Sequence, residues 1–201
     1  FSDSGQMLAT DGTYGLAVGD VDGDGDVDLI TANIDTGDSL RLYRNDGLGN
    51  FSLDAASGIS GFLAFRPRLA DLDGDGDLDL YTGNQVSNRV YLNDGTGLFT
   101  DTGQLLGTGV ITQDVVFGDI DGDGDIDLFE ASVNGDPNRP WFNNGSGFFS
   151  AGTSLGTERS RAAALGDFDG DGDLDLVEGR VTGTFIWLND GLGNFGGETQ
   201  L

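Results

Sequence analysis

Five aspartates within nine residues, alternating with glycine or an apolar residue, occur four times in this chain. They are Asp20, Asp22, Asp24, Asp26 and Asp28; Asp71, Asp73, Asp75, Asp77 and Asp79; Asp119, Asp121, Asp123, Asp125 and Asp127; and Asp167, Asp169, Asp171, Asp173 and Asp175. Two unit charges about 4 Å apart repel by roughly 1 kcal/mol in water and by roughly 4 at an effective dielectric of 20, so a purely decorative acidic hairpin would be expensive. Coordination of a hard cation removes that cost. Ca2+ takes roughly six to eight oxygen ligands at about 2.3–2.6 Å, which alternate carboxylates in a tightly turned loop can supply. In the first copy, side-chain ligation is assigned to Asp20, Asp22, Asp24 and Asp28 and backbone-carbonyl ligation to Asp26, with Gly23 and Gly25 permitting the bend. The same roles pass to the other copies by spacing, which predicts about four Ca2+ per chain. The apolar residue before the last aspartate (Val27, Leu78, Ile126 or Leu174) is expected to turn inward and anchor the loop.

An EF-hand loop also begins with alternating aspartates, but it takes an acid at about position 12 on a following helix. Here that position is Glu130 and Glu178 in two copies and Thr31 and Thr82 in the others, and the flanks alternate like strands. Glu130 and Glu178 are therefore expected on the strand after the loop. Beyond the aspartates the catalytic repertoire is thin. Lysine, histidine and cysteine are absent, which removes the commonest general base, the Schiff-base nucleophile and every imidazole or thiolate ligand.

The loops must be held by something that repeats with them. They start at Asp20, Asp71, Asp119 and Asp167, intervals of 51, 48 and 48 residues, a period that signals propeller blades or an array. Each is followed by Asn-Asp/Asn-Gly-x-Gly, at Asn45, Asn93, Asn143 and Asn189, and then by Phe51, Phe99, Phe149 or Phe195. Apolar residues alternate before the loops (Leu16 and Val18, Val115 and Phe117) and again in Leu29–Thr31, Leu80–Thr82, Leu40–Tyr43, Arg89–Leu92 and Thr184–Leu188. The Asn-Gly turn, tolerant of positive φ, reverses the chain into one more strand. Each repeat thus reads as a four-stranded antiparallel meander that needs neighbours to bury its faces. The fold class is all-β, a β-propeller formed as a single domain over residues 1–201, with calcium loops at 20–28, 71–79, 119–127 and 167–175. Gly19, Ala70, Gly118 and Gly166, just before the loops, suit an innermost strand where blades converge.

The 201 residues are 37% hydrophobic, enough for a core, and 35 acidic against 9 basic residues give a formal charge of −26. Such a charge argues against nucleic acid and anionic lipid as partners. No apolar run approaches the roughly eighteen residues of a membrane span, so no direct membrane insertion is expected. The chain opens at Phe1 without a basic-then-apolar leader and reads as a mature or trimmed product.

Gly19 to Leu29, together with Asn88-Arg89-Val90-Tyr91-Leu92-Asn93-Asp94-Gly95, resembles the FG-GAP/VCBS repeat family, to which integrin α-subunit propellers belong. The resemblance covers all four repeats. It implies calcium between the first and second strand of each blade, an extracellular or cell-surface setting, and adhesion or glycan recognition, as in similar fungal and bacterial lectins. Rings of the family usually have seven or eight blades, whereas four repeats supply four. Phe1-Ser2-Asp3-Ser4-Gly5-Gln6 matches Phe99-Thr100-Asp101-Thr102-Gly103-Gln104, so the chain starts on a fourth-type strand. This could close a four-bladed ring, which is the arrangement expected; part of a larger ring, or a homodimer of eight blades, is the alternative.

Calcium loops and Asn-Gly turns should share one face, leaving recognition to the variable loops of the other. All nine basic residues are arginine, and Arg66, Arg68, Arg159, Arg161 and Arg180 fall in or beside those loops. Tyr14, Phe62, Phe65, Arg66 and Arg161 are the candidate surface for a glycan or acidic protein ligand. Most surface arginines only balance nearby acids, and Arg41, Arg89 and Arg139 are assigned that structural role. Asp3 and Asp101 have no evident role. The function expected is a calcium-stabilised extracellular binding module, not an enzyme. The competing readings are a polysaccharide lyase or glycosidase, for which no carboxylate pair can be singled out, and a non-binding spacer within a larger surface protein.

Overall fold

The computed structural model describes residues 4–8, 12–33, 40–59, 64–84, 86–107, 109, 111–133 and 135–201. The alternating segments form four separate sheets, each an antiparallel meander in chain order. The first blade contains β1 (Thr13–Gly19), β2 (Asp28–Asn33), β3 (Leu40–Asn45) and β4 (Phe51–Asp54). The second contains β5 (Ala64–Ala70), β6 (Asp79–Asn84), β7 (Arg89–Asn93) and β8 (Phe99–Asp101). In the third are β9 (Ile111–Gly118), β10 (Asp127–Val133), β11 (Arg139–Asn143) and β12 (Phe149–Ala151), and in the fourth β13 (Ser160–Gly166), β14 (Asp175–Arg180), β15 (Gly183–Asn189) and β16 (Phe195–Gln200). Every aspartate loop joins the first strand of a blade to its second, and Glu130 and Glu178 lie on the strand after it, as expected.

Register holds across each loop: Gly19 faces Asp28, Ala70 faces Asp79, Gly118 faces Asp127 and Gly166 faces Asp175. At the other end of each innermost strand the register slips. The residue passed over is Tyr14 in β1, Phe65 in β5, Gln113 in β9 and Arg161 in β13. A bulge of this kind re-aims the extra side chain out of the alternating pattern.

The cores lie between blades. Three hydrophobic clusters are buried, and each spans two consecutive sheets: Ile30 and Leu42 with Leu80 and Tyr91, Tyr81 and Val90 with Val115 and Leu128, and Phe129 and Ala131 with Leu176. A recurring polar link accompanies them. The side-chain amides of Asn93, Asn143 and Asn189 donate to the carbonyls of Val21, Leu72 and Ile120 in the preceding blade, at 2.8, 2.6 and 2.7 Å. Tyr81 reaches across to the buried Glu130, donating at 2.6 Å.

Two expectations are corrected here. The ring does not close on four blades: β1 packs beside β5, β5 beside β9 and β9 beside β13, but β13 and β1 share no comparable contact. Val27 does not turn inward. Leu78, Ile126 and Leu174 are partly buried because each packs on the blade before its own, Leu78 and Leu174 over Gly19 and Gly118, whereas among the described residues no blade packs on Val27, which is 52% exposed. The N-terminal segment nonetheless behaves as the tail of a fourth strand. The Gln6 carboxamide brackets Phe51, accepting from its N–H at 3.1 Å and donating to its carbonyl at 2.6 Å, while Gln104 likewise accepts from the Phe149 N–H at 2.9 Å. Residues 1–3 of that segment, including Asp3, lie outside the described residues.

Candidate functional site

Within each loop the first, second and fifth aspartates come together: Asp20, Asp22 and Asp28; Asp71, Asp73 and Asp79; Asp119, Asp121 and Asp127; Asp167, Asp169 and Asp175. One carboxylate oxygen from each lies within 4.8 Å of the others, the spacing of groups that can share an ion. The fifth aspartate is buried and pins the loop. Asp79 accepts from Leu72 N–H and Asn93 N–H, both at 2.8 Å, and Asp127 accepts from Ile120 N–H at 2.9 Å and Asn143 N–H at 2.8 Å. The first aspartate braces the bend, Asp20 accepting from Gly23 N–H and Gly25 N–H at 2.9 Å each. Both glycines have positive φ, 71° and 93°, which only glycine adopts without strain.

The remaining aspartates sit outside these triplets. Asp24 accepts from Asp26 N–H at 2.9 Å, and the corresponding Asp75, Asp123 and Asp171 repeat that local turn. Asp26, Asp77, Asp125 and Asp173 abut Gly47, Gly95, Gly145 and Gly191, which places the Asn-Gly turns beside the aspartate loops on one face. The donor set consists of hard oxygens only. It fits a hard divalent ion, with the triplet carboxylates as side-chain holders.

The first loop differs from the others. Arg44 places a guanidinium nitrogen 2.7 Å from Asp22 and 3.8 Å from Asp28, and it also bonds Asp54 at 3.0 Å and the Thr96 carbonyl of the next blade at 2.9 Å. The corresponding positions on β7, β11 and β15 are Leu92, Phe142 and Leu188. Sequence reasoning missed Arg44, although this charged residue at an otherwise apolar position was the available signal.

Burial pushes the Asp79 and Asp127 carboxyls up to about 6, against the backbone N–H bonds that lower them, with neighbouring aspartates raising them further. Asp28 is raised for the same leading reason, less the effect of Arg44. A carboxyl raised in the fold holds its proton where the unfolded chain has lost it, so stability falls as pH climbs between the ordinary carboxylate range and about 6. Asp46, Asp94 and Asp190 in the Asn-Gly turns are shifted down by side-chain donors Asn50, Thr96 and Asn194, and their contribution is lost only at lower pH. The ion-free protein should therefore show a higher urea midpoint at pH 5 than at pH 7, while its affinity for a divalent ion should be lower at pH 5. Equal midpoints at the two values would contradict the raised carboxyls.

At the far end of the innermost strands a cavity of about 540 Å3 opens, lined by Tyr14, Arg66, Arg68, Gln113, Asp114 and Arg161 among others. A second of about 220 Å3 adds Phe65. All four bulged residues, one from each blade, thus line this connected region. Arg66 donates from Nε to the Gln113 carbonyl at 2.6 Å, and Arg68 pairs with Asp114 at 3.2 Å. Tyr14 meets Phe65 edge to face at 5.2 Å between centroids. Of the candidate ligand surface, Tyr14, Phe65, Arg66 and Arg161 are brought together; Phe62 lies outside the described residues. Arg68, Gln113 and Asp114 were not among the candidates; Gln113 is carried there by a bulge, which leaves no signature in the alternation.

Arg180 stands beside the turn between β14 and β15, as expected, but it is buried. It ends β14 with a side chain only 3% exposed, bonded to Glu178 at 2.7 Å and to Glu198, and lies 4.4 Å from the centre of the Phe185 ring. Arg89 pairs with Asp101, giving that aspartate a role, and Arg139 lies 5.9 Å from the centre of the Trp141 ring.

A family model described as FG-GAP-like repeat matches residues 20–82, 71–130 and 119–178. No curated protein sequence matches the chain. Among solved structures, a lectin of Agrocybe aegerita recognising non-reducing terminal N-acetylglucosamine is similar at 25% identity and a TM-score of 0.60, over 91% of this chain and 50% of the lectin. The V. cholerae biofilm matrix protein Bap1 is similar at 19% identity and a TM-score of 0.53, over 94% of this chain and 28% of its own. An exo-β-1,3-galactanase of Phanerochaete chrysosporium shares 12% identity at a TM-score of 0.54, over 87% of this chain and 47% of the enzyme. The chain spans half or less of the length of each of these three.

Proposed function

Because the chain belongs to the FG-GAP-like repeat family, we propose that it is a calcium-binding propeller module, working outside the cell, that recognises a glycan or acidic protein ligand and performs no chemistry of its own. The observation that carries this reading is the convergence of the four bulged residues, Arg161 among them, with Arg66 and Arg68 on two adjoining cavities at the end of the blades away from the aspartate loops. On a chain of charge −26, a cluster of arginines offers a local attraction for anions that the rest of the surface lacks. Planar guanidinium groups suit carboxylate or sulfate, and the paired Tyr14 and Phe65 rings suit the apolar face of a sugar.

Calcium is placed at the four triplets, with Asp20, Asp22 and Asp28 and their counterparts as holders. There it neutralises charge and fixes the loop, a structural role. Glycan recognition by the similar lectin supports the ligand class, and the extracellular setting typical of such repeats supports the location. Among the described residues no helix is long and apolar enough to cross a membrane. A non-catalytic role is supported by the cavity lining, where Asp114 is the acid among the described residues and is already engaged by Arg68, Val115 N–H and Ala163 N–H. Hydrolysis of a glycosidic bond calls for two carboxylates flanking it.

Binding to an array of neutral, uronic-acid and sulfated glycans tests the proposal. Signal is expected on the acidic members, with at least a tenfold loss in Arg66→Glu and Arg161→Glu but little change in Arg159→Glu, an exposed control outside the cavity. Unaltered binding in both cavity variants would remove the cavity from the mechanism.

A further inference from the structure

The four Asn-Gly turns share one backbone arrangement and differ at one chemical position. Just before the first turn glycine, the first, second and fourth blades carry Asp46, Asp94 and Asp190, while the third carries Asn144. The side-chain oxygen at this position accepts N–H groups from further along the turn. Asp46 accepts from Leu48 at 2.9 Å and Asn50 at 3.1 Å, Asp94 from Thr96 at 3.0 Å, and Asp190 from Leu192 at 3.0 Å and Asn194 at 3.2 Å. Asn144 Oδ1 accepts the matching pair, Ser146 N–H at 3.1 Å and Phe148 N–H at 3.4 Å, both longer than in the sister turns. An N–H group bonds a carboxylate more strongly than a neutral amide oxygen. The turn is accordingly a holder for a negative group: the side chains of Asn50, Thr96 and Asn194, together with these backbone donors, keep the Asp46, Asp94 and Asp190 carboxyls below the ordinary range.

Asn144 is also placed to become such a group. Its side chain is exposed, and neither its Nδ2 nor the Gly145 N–H has a partner among the described residues. Gly145 has no side chain to shield its nitrogen, and none fits there: a Cβ would stand 2.6 Å from Asp125 Oδ2, and the φ of 71° favours glycine. The nitrogen lies one residue along from the amide carbon it would attack, which makes the step intramolecular. The Ser146 and Phe148 N–H groups on Oδ1 draw charge from Cγ and face the oxyanion that attack creates.

We propose that Asn144 is a site of spontaneous deamidation, and that the turn holds the aspartate so formed as its three sisters hold theirs. The Gly145 nitrogen gives its proton to a solvent base and bonds to Asn144 Cγ; the Cγ–Nδ2 bond breaks, and Nδ2 takes up a proton and leaves as ammonia. The cyclic imide then adds one water. Opening at Cγ leaves aspartate, which inherits the Ser146 and Phe148 donors; opening at the backbone carbonyl leaves isoaspartate, whose extra backbone methylene shifts Gly145 from its seat beside Asp125. Either product adds one negative charge next to the third aspartate loop.

Peptide mapping with tandem mass spectrometry, on the whole calcium-loaded chain incubated at neutral pH and physiological temperature, tests this. Asn144 is expected to convert from amide to acid at least ten times faster than Asn50, Asn143 and Asn194, which no glycine follows. Asn134, the other asparagine that precedes a glycine, lies outside the described residues and is the internal reference. In saturating calcium, Asn144→Asp should melt above the unmodified chain and Asn144→Gln below it. Asn144 left intact while Asn134 converts, conversion no faster than at Asn50, or a lower melt for Asn144→Asp would each overturn the proposal.

Discussion

Calcium added to chelator-treated protein is expected to raise its melting temperature more than any single substitution would lower it. A ligand that binds only the folded form stabilises by about 2.7 kcal/mol at a free concentration of about one hundred times its dissociation constant, and four such sites would supply about 11. Total stabilities of single domains are about 5–15 kcal/mol, so an ion bound at all four is expected to decide whether the chain is folded. Four carboxylate triplets, each with one buried member, give the reason: without an ion the fold must hold like charges close in a poorly solvated place. Calorimetric titration should count about four ions. The four should not be equal. Arg44 already places positive charge 2.7 Å from Asp22, so the first loop should bind more weakly than the other three, and Arg44→Leu should bring it closer to them. Mg2+, which demands a tighter octahedral shell, should stabilise less. Absence of binding heat together with an unchanged melt would remove the metal assignment altogether.

The largest loss from one substitution should come at Glu178, on β14 three residues past the fourth aspartate loop. Its side chain is fully buried, accepting from Ser160 Oγ and Trp187 Nε1 at 2.8 Å each and pairing with Arg180 at 2.7 Å. Glu178→Ala leaves a guanidinium 3% exposed beneath Phe185 and Trp187, with Glu198 as its remaining carboxylate. Removing one partner of a buried pair costs about 3–5 kcal/mol, because the other charge stays behind. Replacing both, as in Glu178→Leu with Arg180→Met, should recover most of that loss, since matched apolar side chains need no compensation. Urea unfolding in saturating calcium separates this effect from the metal's. A loss below about 1 kcal/mol for Glu178→Ala would mean that water reaches the pair.

The strands, their order within each blade and the position of every aspartate loop were legible in the sequence, because alternation, the Asn-Gly turns and the nonapeptide are local signals. Glu130 and Glu178 were placed on the correct strand, but their burial was not foreseen: pairing with Tyr81 and Ser160 depends on neighbours distant along the chain. Val27 shows the same limit from the other side. Its sequence context equals that of Leu78 and Leu174, and what differs is whether a described blade packs against it. The face carrying the candidate ligand surface could be inferred from the topology, whereas the bulges that turn Tyr14, Phe65, Gln113 and Arg161 into one cavity follow from strand pairing and leave no trace in the pattern.

Because among the described residues every hydrophobic cluster is shared by two neighbouring blades, an isolated repeat is not expected to be a folding unit. Cooperativity runs along the array as nearest-neighbour coupling, as in a one-dimensional lattice. Folding can begin at any of the three junctions and spread to either side. The second and third blades, each held through two junctions within this chain, should open last.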